Sequence, residues 1–417
     1  MGVTEIKLTE IKGGICAPAG FSAAGIHCGL RKGKGKYDLA LIAADRVCDA
    51  AAVYTQNIVQ GAPITVTKKN LADGRAQAVV CNSGIANTCN PDGLEKAGAM
   101  CAILAEALHI APEDVIVAST GVIGMPLPIE PLRSGIPAAA ANLGSDERHA
   151  HDAAIAIMTT DTKKKELAVN FELCDGTRVN IGAIAKGSGM IAPNMATMLC
   201  FMTTDIAMSA EMLHSALTGA CGDTFNMVSI DGDTSTNDML SIMAGGRAGN
   251  SRIIARDADY ARFYAALEYV SRRVSVMLAS DGEGATKLIE CAVHGFADRD
   301  GAKRLARSVI GSSLVKTAMF GADANWGREL CALGYAGVDF DPLKIDLCFI
   351  GGGERILVCK NGGNVPVDED LAKKILSNQH VIIDIDMGMG GGPESTATAY
   401  GCDLSYEYVR INGDYRS

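Results

Sequence analysis

Lys186-Gly-Ser-Gly-Met-Ile-Ala-Pro-Asn-Met-Ala-Thr197 runs straight into the apolar stretch Met198-Leu-Cys-Phe-Met202. Gly187, Gly189 and Pro193 permit or impose unusual backbone angles, so the chain can bend sharply just before Thr197. The residues from Thr197 to Thr204 have the β-branched and apolar content of a short buried strand. Alternation puts Thr197, Leu199 and Phe201 on one face and Met198, Cys200 and Met202 on the other, so Cys200 should point away from any pocket that Thr197 lines. Ala196 is small and leaves its carbonyl open to the Thr197 hydroxyl, an arrangement that suits self-cleavage. The cut would free the α-amino group of Thr197, with a reference pKa of about 7.7 to 8, as a base beside its own hydroxyl. The pattern alone favours a plainer alternative, a β-branched residue opening a core strand.

The stretch resembles the self-cleavage signature of the ornithine acetyltransferase family, the bifunctional glutamate and ornithine acetyltransferases of arginine biosynthesis. Four further segments carry the same resemblance: Ser119-Thr-Gly-Val-Ile-Gly124, Asp281-Gly-Glu-Gly-Ala-Thr-Lys287, Phe320-Gly-Ala-Asp-Ala-Asn-Trp-Gly-Arg328 and Ile411-Asn-Gly-Asp-Tyr-Arg-Ser417. Together they span nearly the whole chain. The main departure is Gly413, where Ala is expected, which touches packing more than roles.

The resemblance implies a layered α-β-β-α sandwich similar to the N-terminal-nucleophile type, interlaced from an alpha chain, 1–196, and a beta chain, 197–417. It implies acetyl transfer from N2-acetyl-L-ornithine to L-glutamate through an acetyl-Thr197 enzyme, with no cofactor. By the same resemblance, Thr120 and Gly121 form the oxyanion hole, and Thr160, Lys186, Thr197, Glu283, Asn412 and Ser417 contact the amino-acid substrates. A heterotetramer of two alpha and two beta chains is expected. Whether acetyl-CoA also serves as a donor is left open. The rival readings are a self-cleaving aminopeptidase of related fold, built around a serine nucleophile, and a non-catalytic binding protein.

Composition narrows the classes independently. With 38 Lys and Arg against 48 Asp and Glu, the net charge is −10, and no basic cluster is long enough to track a phosphate backbone, so nucleic acid is not an expected partner. The basic run Arg31–Lys36 is spaced by glycines and reads as a solvated loop. The opening residues lack an apolar signal core and no stretch reaches membrane-spanning length, so a cytoplasmic protein is expected. Fourteen cysteines are scattered singly, without a C-x-x-C pair, and read as reduced thiols. His149-x-His151 is the closest histidine pair and reads as solvated, so no metal is expected.

Strands and helices alternate in both halves, which gives an α/β class. Strands are predicted at 38–44, 48–54, 77–81, 114–118, 166–173, 178–185, 197–204, 226–230, 239–243, 287–293, 345–349, 354–358, 381–386 and 396–400. Asn82–Asn87 reads as a polar turn, and Ser119-Thr120-Gly121 as a turn closing its strand. Helices are predicted at 93–108, 153–158 after a start signal at Leu143-Gly-Ser-Asp146, 209–221 with Ser209 as N-cap, 257–278, 300–310, 326–333 and 369–376. Leu314–Met319 and Tyr406–Asn412 read as strands. Glu283, between two glycines, reads as lying on exposed backbone, and Lys186 by itself reads as a surface residue. The run 231–237 mimics a calcium loop but lacks its glycine and closing glutamate, so a polar turn is the better reading.

Overall fold

The structure, a computed structural model, describes residues 6–31, 35–192 and 198–414. Ala196, Thr197 and Ser417 therefore lie outside the described residues. The chain divides into two units. One takes the described residues of Met1–Gly187, Asn194–Asn226 and Thr234–Val274, the other those of Ser188–Pro193, Met227–Asp233 and Ser275–Ser417. Each thus draws on sequence from both sides of position 197.

The first unit contains β1 (Leu8–Ile11), β2 (Phe21–Ile26), β3 (Leu39–Tyr54), α1 (Ala62–Asn70), β4 (Arg75–Ile85), α2 (Gly93–Leu108) and β5 (Val115–Val122). It continues with α3 (Glu130–Ala141), α4 (Glu147–Ala156), β6 (Lys165–Glu172), β7 (Arg178–Lys186), β8 (Leu199–Thr204), α5 (Ala210–Asp223) and β9 (Met239–Ala244). Among the described residues these strands make a nine-stranded sheet in the order β1-β6-β7-β8-β9-β3-β4-β5, with β2 also paired to β3. Strand alternation sorts its residues between two faces. Ala40, Ile42, Val79, Cys81, Ile116 and Ala118 pack with Ala150, Ala153 and Ala154 of α4. Their neighbours Leu39, Leu41, Ala78, Val80, Val115 and Val117 pack with Met100 and Leu104 of α2 and Leu132 and Ile136 of α3. Helices therefore cover both faces.

β7 and β8 are antiparallel and bring Lys186 opposite Leu199. β8 in turn runs parallel to β9. The two strands that flank the glycine stretch in sequence are thus neighbours in the sheet. Leu199 and Phe201 join the α4 face, while the thiol of Cys200 neighbours Cys221 of α5 and is pushed up by burial, as the alternation predicts.

The helix α6 (Ala258–Ser280) is the longest among the described residues, with its residues up to Val274 assigned to the first unit and those from Ser275 to the second. The second unit follows with β10 (Leu288–His294), α7 (Arg299–Gly311), α8 (Ser313–Gly321), α9 (Gly327–Gly334), β11 (Asp346–Gly351), β12 (Glu354–Lys360), α10 (Glu369–Leu376), β13 (His380–Asp386), β14 (Ala397–Cys402) and α11 (Tyr406–Gly413). Among the described residues its sheet has seven strands, in the order Gly363–Asn364, β12, β11, β13, β10, β14, Val228–Ser229. α7 covers it through Leu305, Ala306, Val309 and Ile310, and Trp326 packs against the same core. The α/β class is the one expected, with two mixed sheets.

Several local readings need correction. The strands at 38–44 and 48–54 are one, β3, whose register slips between Ala43 and Cys48. Asn82–Asn87 does not turn at once, because β4 runs on to Ile85. Its buried polar groups are satisfied, with Asn82 Nδ2 donating to Ile85 O at 2.9 Å and Ser83 Oγ to Ala156 O at 2.8 Å. Thr120 and Gly121 likewise lie within β5, not in a turn after it. The helix signalled at Leu143–Asp146 does start there, at Glu147 under an Asp146 cap, but it ends at Ala156, short of the expected Met158. Leu314–Met319 is helical, since Ser312 caps α8 and Val315, Ala318 and Met319 recur at helical spacing on its buried side. Tyr406–Asn412 is also helical, capped by Ser405, and α11 buries no residue among those described. The alternation of aromatic and aliphatic residues there has no sheet to serve.

Candidate active site

In the first unit, β5 and β7 bring two of the expected residues together: Lys186 Nζ donates to Thr120 Oγ1 at 3.3 Å. Lys186 is the last residue of β7 and is 8% exposed, so it is not the surface lysine that its position alone suggests. Gly121 follows Thr120 with φ of 132°, and a Cβ there would stand 2.2 Å from the carbonyl carbon of Gly84 on β4. Only glycine fits both constraints.

Thr160 lies in the segment after α4, and two anchors fix that segment. On one side, Asp161 Oδ1 accepts from the Gly187 amide at 2.6 Å and from Lys165 Nζ at 2.7 Å, while Oδ2 accepts from the Thr159 amide at 3.0 Å. Burial raises the Asp161 carboxyl, but Lys186 and Lys165 outweigh it and, with these hydrogen bonds, bring its pKa down to about 2. On the other side, the Arg31 guanidinium donates to the carbonyls of Met158 at 2.9 Å and Thr159 at 3.2 Å. The Arg31 amide is held by Asp38, which also accepts from the amides of Cys28 and Gly29. Arg31, read from sequence as part of a solvated run, therefore braces the Thr160 segment. Asp238, ahead of β9, is fully enclosed, and burial holds its carboxyl well above the usual range against the opposing pull of Lys186.

In the second unit Glu283 and Asn412 meet beside the glycine loop's first half. Glu283 is buried, 6% exposed, and not on open backbone as expected. Its amide donates to Ser188 O at 2.8 Å, and its Oε2 accepts from Asn412 Nδ2 at 2.7 Å. A Cβ on Gly189 would stand 2.4 Å from Glu283 Oε2, so that glycine makes room for the carboxylate. Asp231 is a clamp for the loop, accepting from the amides of Met190 at 2.5 Å and Ile191 at 2.8 Å and from Tyr408 Oη at 3.3 Å. It holds protein amides in the place where the sequence mimicked a calcium ligand. Ser405 Oγ donates to Gly284 O at 2.6 Å, which seats α11 on the turn carrying Glu283.

The structure thus joins Thr120 with Lys186 in one unit and Glu283 with Asn412 in the other. Thr197 and Ser417 are outside the described residues. Sequence reading missed Lys165, Asp231 and Asn237 as structural partners. The clue available for the last two was the polar run 231–237 set between buried strands.

A family model described as the ArgJ family matches residues 22–417. The chain is 48% identical over 95% of its length to arginine biosynthesis bifunctional protein ArgJ 1 of Clostridium acetobutylicum, covering 96% of that protein. It is 50% identical over 98% of its length to the bifunctional ArgJ of Symbiobacterium thermophilum, covering 99% of it. Among solved structures, a crystal structure of the ArgJ protein from Bacillus halodurans is 40% identical over 46% of this chain and 100% of that one, with a TM-score of 0.44. A match of this length to the family model, with relatives this similar from end to end, means that the chain belongs to the ArgJ family.

Proposed function

We propose that the protein cuts itself between Ala196 and Thr197 and then transfers the acetyl group of N2-acetyl-L-ornithine to L-glutamate through an ester on Thr197. The observation that carries this reading is the Lys186 to Thr120 contact at 3.3 Å, set where β7 pairs with a strand that begins two residues after Thr197. In the first half-reaction the Thr197 hydroxyl oxygen bonds to the acetyl carbon. The freed α-amino group takes the hydroxyl proton and passes it to the departing nitrogen of ornithine as the carbon–nitrogen bond breaks. The tetrahedral oxyanion is held by the Thr120 hydroxyl and the Gly121 amide. Glutamate's amine then attacks the ester and restores the Thr197 hydroxyl.

Lys186 meets a substrate carboxylate and Glu283, oriented by Asn412, meets a substrate ammonium. Thr160, Asn412 and Ser417 complete the contacts to substrate. No cofactor is required, because the acyl group stays covalently bound. The enzyme works as residues 1–196 and 197–417, two copies of each, in the cytoplasm, and acetyl-CoA serves as a second acetyl donor to glutamate, in keeping with the bifunctional relatives. Among the described residues, no helix is long and apolar enough to cross a membrane. The aminopeptidase reading has no comparable support, since relatives 48 and 50% identical carry arginine-biosynthesis names.

Incubation with N2-acetylornithine and glutamate should yield ornithine and N-acetylglutamate in equal amounts, and acetyl-CoA with glutamate should also yield N-acetylglutamate. Absence of product from the first pair, or release of amino acids from short peptides instead, would overturn the reading. Thr120→Ala should lower kcat by on the order of a hundredfold with a much smaller change in KM. Equal turnover in variant and wild type would remove Thr120 from the site.

A further inference from the structure

The geometry points to Asn237 as the positioning residue that aims Thr120 during acetyl transfer, an inference that rests on the oxyanion role proposed for Thr120. Asn237 stands just before β9 and is 6% exposed. Its Nδ2 donates to Ala86 O at 2.7 Å and to Ser119 O at 3.0 Å. Its Oδ1 accepts from Thr88 Oγ1 and Thr236 Oγ1, both at 2.6 Å. A carboxamide offers two donors and two lone pairs, so its hydrogen-bonding capacity is filled.

Ser119 is the link to the chemistry. Its carbonyl and the Thr120 nitrogen belong to one rigid peptide plane, so holding that carbonyl sets the orientation at which Thr120 begins. The Ser119 side chain is held as well, donating from Oγ to Asn82 Oδ1 at 2.6 Å, across from it in the β4–β5 ladder. Thr120 is left with its hydroxyl toward Lys186. Space for the clamp is provided by Gly61, where a Cβ would stand 2.6 Å from Asn237 Nδ2.

Asn237→Asp tests this with little change in volume. It removes both donors, sets a carboxylate against two carbonyl oxygens, and keeps the acceptors for Thr88 and Thr236. Steady-state kinetics with N2-acetylornithine and glutamate would be measured for wild type, Asn237→Asp, Thr120→Ala and the double variant, beside melting temperature and the fraction of cleaved chain. Asn237→Asp should lower kcat by about ten- to a hundredfold, as expected for misplaced catalytic groups, with KM nearly unchanged. The double variant should be no slower than Thr120→Ala, because Asn237 acts only through Thr120. Losses that multiply, or wild-type kcat in folded Asn237→Asp, would overturn the inference and leave the oxyanion role standing. Wild-type kcat in Thr120→Ala would overturn the oxyanion role itself, and the inference with it. Should Asn237→Asp fail to fold, Gly61→Ala displaces the same amide. Its backbone, at φ −65°, accepts alanine, and its smaller loss of kcat should likewise vanish on the Thr120→Ala background, with a persisting loss overturning the inference.

Discussion

Thr197→Ala should leave one uncut chain with no measurable transfer activity, where the wild type should separate on a denaturing gel into residues 1–196 and 197–417. Two functions are lost with one hydroxyl. In the proposed mechanism the Thr197 oxygen is the nucleophile for the Ala196 carbonyl before cleavage and for the acetyl group after it. The base is lost too, since the α-amino group exists only once the peptide bond is cut. Thr197→Ser keeps the hydroxyl and should still cut itself and carry an acetyl group, which mass spectrometry would detect on the beta chain after exposure to N2-acetylornithine. Transfer in the wild type should also fall as pH drops below about 8, because an α-amino group with a pKa of about 7.7 to 8 must be neutral to take the proton. A wild-type chain that stays whole while active would rule out the amino group as base.

Much of the fold was legible where periodicity and caps agreed. Gly93–Leu108 and Glu369–Leu376 are helices with the bounds expected from sequence, and Ser209 caps α5 by accepting from the Met212 amide. The failures have physical causes. In α8, Lys316 is 3% exposed and donates to Ser229 O and Cys402 O, so a residue counted as polar belongs to the buried side and hides the helical period. In α11 no described residue is buried, so apolar spacing carries no information there and the Ser405 cap decides.

The site was less legible for a different reason. The glycines and hydroxyls of the central stretch could be found from its wording, but the hydrogen-bond partner of the buried Glu283 carboxylate is Asn412, 129 residues away. The clamp on Ser119 comes from Asn237, 118 residues away. Contacts at such separations leave no periodic trace in the chain.

Asp161→Asn should lower stability by about 3 to 5 kcal/mol, the usual cost of removing one partner from a buried ion pair. Lys165 is 1% exposed and its ammonium lies 2.7 Å from Asp161 Oδ1, so the neutral amide leaves a buried cation without this carboxylate. The same oxygen accepts from the Gly187 amide at 2.6 Å, so the substitution also loosens the first residue of the glycine loop. Acid gives an independent check of the sign. The Asp161 pKa falls from an ordinary 3.8 to about 2 in the folded protein, so its contribution is fully present above about pH 4 and disappears as pH falls toward 2. Wild type should therefore lose stability across that interval more steeply than Asp161→Asn, which has no carboxyl to protonate there. Adding Lys165→Met removes the buried cation and should recover part of the loss, since replacing both partners of a buried pair by neutral groups costs far less than breaking it. An unchanged melting temperature in Asp161→Asn at pH 7 would mean that the pair is not what holds the Thr160 segment to the end of β7, leaving Arg31 and the Thr159 carbonyl as its anchor.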